Sequence, residues 1–100
     1  MKIFLQIKYD NIAKINYVYV NIFKDNNCYS DYFVLVLSAN TFEGDYKVYT
    51  KRQKYMIDCL VEDNAIEVIE VNKQSRINND TPKFGTYKIR LTQSKLLELI

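Results

Sequence analysis

Across residues 15–23 every residue except Asn16 and Asn21 is apolar or aromatic, and the apolar residues fill both parities: Ile15, Tyr17, Tyr19 and Phe23 on one, Val18, Val20 and Ile22 on the other. In an extended chain the two parities point to opposite faces. A segment of this kind is stable only where neighbours cover both its faces and its edges, and its β-branched and aromatic residues fit a pleated strand. It is therefore predicted to be a central strand. Its flanks supply the neighbours. Upstream, Ile3, Leu5, Ile7 and Tyr9 alternate with Lys2, Phe4, Gln6 and Lys8, the pattern of a half-buried strand, and "YDNIAK" reads as the turn between them. Downstream, the Asp, Asn and Ser density of "FKDNNCYSD" marks a loop, and "YFVLVLS" is apolar on both faces and too short for an ordinary helix. The first 40 residues thus predict a three-stranded antiparallel meander.

The second half changes period. In "ANTFEGDYKVYT" the residues Glu43, Gly44 and Asp45 suggest a turn, followed by a short strand over 46–49. Thr50 with Gln53 three positions on fits a capping box, which opens a helix near residues 51–63 with Met56 and Leu60 on its apolar face and Asn64 as its stop. Two more strands, "AIEVIEVN" and "TYKIRLT", flank the polar loop "KQSRINNDTPKFG"; in the second, Tyr87, Ile89 and Leu91 face inward and Lys88 and Arg90 outward. Thr92 is expected to cap a short C-terminal helix that carries Leu96, Leu97, Leu99 and Ile100 and needs tertiary packing to persist. The expected class is α+β: an antiparallel sheet of about five to six strands with both helices on one face. With one Pro, two Gly and no low-complexity tract, residues 1–100 read as a single compact domain.

Several chemistries are absent from the residue inventory. There is no His, so no His general base, no His-containing zinc site and no Ser-His-Asp arrangement. The two cysteines, Cys28 and Cys59, stand far apart and are expected to be free thiols; the only glycines, Gly44 and Gly85, make no phosphate loop. Glu67 and Glu70 have opposite strand parities, so they are expected on opposite faces rather than as a working pair. "KFGTYKIRL" departs from the strand motif of RNA-recognition sheets at too many positions, leaving Tyr87 as a packing residue. The expectation is a non-enzyme without cofactor or metal. The early apolar run is broken by Gln6 and Lys8, and no run approaches the roughly 20 residues needed to span a bilayer, so a cytoplasmic protein, in the host cell if phage-encoded, is expected.

Charge is the remaining signal. The formal net charge is only +2, yet it hides blocks. Lys47, Lys51, Arg52 and Lys54 form a basic run, Asp58, Glu62, Asp63, Glu67 and Glu70 an acidic one, and Lys88 and Arg90 belong to a second basic stretch. Cations in a helix's first turn oppose its dipole at about 0.3–1 kcal/mol each, so Lys51, Arg52 and Lys54 require a screening solvent, an acidic surface or a bound phosphate to tolerate them. Cross-strand pairing of Glu67 and Glu70 with Lys88 and Arg90 is the local alternative for the second stretch. Nine tyrosines exceed what a small core hides, and Tyr is favoured at interfaces.

These features lead to the expectation of a small binding protein acting on a larger protein or nucleoprotein. Lys51, Arg52, Lys54, Lys88 and Arg90 would steer docking, and Tyr49 and Tyr55 would anchor it. Richness in Asn, Lys, Ile, Tyr and Phe indicates an AT-rich genome; with the small size, that is the profile of phage, viral or mobile-element inhibitors, anti-CRISPR proteins among them. The alternative function is a nucleic-acid-binding protein using the same cations on phosphates. An uncovered edge strand adds a homodimer as a further expectation.

Overall fold

The structure, a computed structural model, describes residues 2–24, 29–73 and 81–99. Its elements run β1 (Lys2–Asp10), β2 (Ile15–Lys24), β3 (Tyr29–Ser38), β4 (Glu43–Val48), α1 (Lys51–Glu62), β5 (Ile66–Asn72), β6 (Gly85–Leu91) and α2 (Gln93–Leu99). The class is α+β as expected, but the strands divide into two antiparallel sheets, β1-β2-β3 and β4-β6-β5. The segment with two apolar parities, β2, is the central strand of the first sheet, with Val20 opposite both Leu5 and Phe33.

One core serves both sheets. Val18, Val20 and Ile22 of β2, Leu35 and Leu37 of β3, Val48 of β4 and Tyr87, Ile89 and Leu91 of β6 are buried together with Met56, Ile57, Cys59 and Leu60 of α1. Cys59 is buried and forms no disulfide, and Cys28 lies outside the described residues, as do residues 74–80 of the polar loop and Ile100. The molecule measures 40 × 39 × 22 Å, a thickness that fits two layers of secondary structure about 10 Å apart. Among the described residues no helix is long and apolar enough to cross a membrane.

The turns show how local chemistry sets the path. The Asp10 carboxylate accepts from the backbone N–H groups of Ile12 and Ala13 at 2.9 and 3.1 Å, and Lys14, at φ 58°, closes the loop by donating to the Asp10 carbonyl at 2.9 Å. The β3–β4 connection corrects the expected turn at Glu43, Gly44 and Asp45, which instead lie inside β4. The reversal occurs earlier: Ser38 and Thr41 share a short hydroxyl–hydroxyl hydrogen bond, and Phe42 takes φ 54°. Gly44 has a different reason to be glycine. β4 crosses the edge of β3 so closely that a Cβ at this position would clash with the Val36 carbonyl oxygen.

Helix α1 begins and ends as its sequence encodes. Thr50 Oγ1 accepts from the Gln53 N–H at 3.2 Å, and Gln53 Oε1 accepts from the N–H groups of Tyr49 and Thr50 at 2.7 and 3.1 Å. At the other end Asn64, at φ 58°, donates to the Val61 carbonyl and Ala65 to that of Leu60, which is a Schellman closure with Asn in the left-handed position. Thr92 joins this closure to α2: its hydroxyl donates to the Asn64 carbonyl at 2.7 Å while accepting from the Lys95 N–H at 3.2 Å.

A second correction concerns β5. Its register against β6 shifts between Val68 and Glu70. The extra residue, Ile69, restores Glu70 to the face of Glu67, so the two carboxylates share one side of the sheet, opposite Lys88 and Arg90. Parity counting placed them apart because it assumes an unbroken pleat.

Candidate binding surfaces

The basic helix start has acidic partners within the chain. Arg52 forms a short ion pair with Asp31 of β3, a carboxylate only 5% exposed. This pair ties the helix start to the first sheet and places a counter-charge where the dipole argument demands one. Lys54 reaches Asp58 at 2.5 Å, and that hydrogen bond raises its pKa above the ordinary value. Among the described residues Lys51 enters no ion pair. Tyr49 and Tyr55 flank this turn and are exposed; the Tyr55 phenol is pushed up by its hydrogen bond to Cys59.

Lys88 and Arg90 lie elsewhere, on the outward face of the second sheet, while Tyr87, Ile89 and Leu91 of the same strand turn into the core. Arg90 sits between Glu43 of β4 and Glu67 of β5, at 3.2 and 2.7 Å, and these carboxylates, Glu67 foremost, raise its pKa. Lys88 stands between Asp45 and Glu70 in register. On this face Arg90 is thus ion-paired within the sheet and Lys88 has acids as its register neighbours; a cross-strand pair of opposite charges contributes about 0.2–1 kcal/mol. The fold separates the cations of the helix start from those of β6 and gives most of them partners of their own.

The surface without such compensation is the outer face of the first sheet. Register sets Lys2, Phe4, Gln6 and Lys8 of β1 beside Tyr17, Tyr19, Asn21 and Phe23 of β2, and these beside Tyr32, Val34 and Val36 of β3. Phe4 and Tyr32 are each 55% exposed. Phe4 meets Phe23 edge to face at 5.5 Å, and Tyr19 stacks with Tyr32 at 5.9 Å. Two hollows flank Tyr19 and Lys8. One, of about 520 Å³, is lined by Tyr9, Ile12 and Tyr17; the other, of about 260 Å³, by Gln6, Asn21 and Tyr32. Among the described residues the only acid at an outward position is Asp10, whose carboxylate holds turn amides. The alternation of Tyr17, Tyr19 and Phe23 is plain in the sequence, but it reads equally as one covered face of a central strand. The exposure of Phe4, Phe23, Tyr32 and Val36 is what makes it a surface.

Among the described residues no cluster of three or more Cys, Asp and Glu could hold a metal ion. No protein-family profile, characterised protein or solved structure matches the chain, so the functional reading rests on its own residues.

Proposed function

We propose that the chain is a non-enzymatic binding protein that docks the outer face of its β1-β2-β3 sheet onto a larger protein, at a surface that is apolar in the middle and acidic at its border. The observation that carries this reading is the set of exposed rings Phe4, Phe23 and Tyr32, with the half-buried Tyr19 stacked on Tyr32 and Lys2 and Lys8 beside them. Rigid rings bury area at low entropic cost, and aromatic residues dominate interface energetics. The lysines match an acidic rim and favour fast encounter. An inhibitor that occupies a partner's working surface, as phage and mobile-element inhibitors do, is the form of action this supports.

For this face a protein is a better-supported partner than nucleic acid. Its two lysines, Lys2 and Lys8, would neutralise about two phosphates, giving a salt slope of about −1.4 on a single strand, which is weak where phosphate contacts supply most of the affinity. The test uses a partner captured from the native host, identified, purified and titrated. Phe4→Ala combined with Tyr32→Ala is expected to weaken it at least about 30-fold, the effect of one hot spot of about 2 kcal/mol, and Lys88→Ala to change it less than about two-fold. Loss of binding with Lys51→Glu and Lys54→Glu, while the aromatic variant binds normally, would move the site to the helix start. Retardation of single-stranded RNA or DNA at low salt by the wild type would select the alternative function.

A further inference from the structure

The two outer edge strands differ in their protection. β5 carries a bulge at Ile69 and two outward carboxylates, Glu67 and Glu70, which disfavour a further strand. β1 has no bulge, and its outward charges are Lys2, Lys8 and, at its last residue, Asp10. It runs nine residues in unbroken register with β2, without bulge or proline, and among the described residues no backbone hydrogen bond reaches it from any strand but β2. Its inward residues Ile3, Leu5 and Ile7 remain half-buried, although their counterparts Val18, Val20 and Ile22 on β2 are fully buried. The apolar layer is thus incomplete along this edge. The helix that flanks β1 is α2, and its Leu97 is 70% exposed.

We propose that β1 pairs antiparallel with β1 of a second copy of this chain, about a two-fold axis at Gln6, joining the two three-stranded sheets into one of six. The register follows from physical limits. Two identical antiparallel strands keep their inward faces together, and their free backbone groups opposed, only when residues of equal parity face each other. Centred on Gln6, all of Lys2–Asp10 is paired. Lys2 then faces Asp10, Phe4 faces Lys8, Ile3 faces Tyr9 and Leu5 faces Ile7, each twice by symmetry. The charged and cation–aromatic pairs are complementary. A shift one way sets Lys2 against Lys8. A shift the other way leaves Lys2 beyond the strand end and puts Phe4 against Asp10. Lysines that guard the edge against other strands are thereby matched to a second copy of the same one.

The pairing does not depend on the proposed partner, and its test includes none. Sedimentation of the full chain at about 100 µM is expected to give twice the 11.9 kDa chain mass. Lys2→Glu opposes two acids at both ends of the pair and is expected to weaken the dimer ~10-fold, with an unchanged circular dichroism spectrum because Lys2 is exposed. In a Cys28→Ser background, Gln6→Cys should form a disulfide-linked dimer on mild oxidation, since its two copies face each other within disulfide reach. Lys8→Cys should not, because its copies stand about 13 Å apart along the paired strands. A monomer at this concentration overturns the proposal. So does a dimer that Gln6→Cys fails to link or that Lys8→Cys links equally well.

Discussion

Arg52 and Lys51 are neighbours in sequence with different consequences. Removing the Arg52 guanidinium takes the paired cation from Asp31, which stays buried. Arg52→Ala is therefore expected to cost about 1–3 kcal/mol, the range for a charge-assisted hydrogen bond at a partly exposed site. Lys51→Ala should stay within about 0.5 kcal/mol, and urea unfolding of both variants compares them. If Arg52→Ala also stays within that band, the Asp31 pair is not what makes the basic turn tolerable. Gly44→Ala presses a methyl group on the Val36 carbonyl oxygen, a backbone atom that cannot rotate away. It is expected to lower stability by about 1–3 kcal/mol through overpacking, read as a fall in the melting temperature.

Among the elements, α1 is the one whose ends are written most locally. Thr50→Ala removes the capping hydroxyl and should cost about 1 kcal/mol, visible in the denaturation midpoint. Asn64 holds a left-handed conformation, so Asn64→Gly should be neutral or mildly stabilising and Asn64→Val destabilising by about 1–2 kcal/mol; equal effects of the two substitutions would argue against the Schellman closure. The capping box and the Asn stop were legible in the sequence because both act within a few residues. The bulge at Ile69 was not, since nothing in "AIEVIEVN" distinguishes a bulged strand from an even one until β6 is laid against it.

At the scale of the whole molecule, the shared core predicts that both sheets unfold together. Far-ultraviolet circular dichroism and tyrosine fluorescence should give coincident transitions, and separated transitions would show that the sheets are independent. The pH response has a definite sign. Tyr46 is raised above its ordinary 10.0 by burial, and Lys54 and Lys95 above 10.5 by Asp58 and Glu98. A group with a raised folded pKa gives stability that is complete below its unfolded value and is lost as pH rises through the folded one. Stability from these groups should be level from pH 6 to about 9 and fall above about 10, as pH-dependent urea midpoints would record.

Sequence alone determined the elements and their order, because period, capping and turn residues act over short distances. The two-sided apolar segment could only be a central strand, and Thr50 with Gln53 could only begin the helix that follows it. It also determined that the cations cluster. What the clusters meet was decided by tertiary structure: the partner of Arg52 comes from β3, 21 positions away, and Arg90 is held by two strands that are not adjacent in the chain. The same holds for the aromatic face. Tyr17, Tyr19 and Phe23 are bound to share a side of β2 whatever the rest of the chain does. Whether that side meets a protein layer or solvent depends on where the core forms, and the buried residues of α1 share the core with Val18, Val20 and Ile22, on the other side of β2.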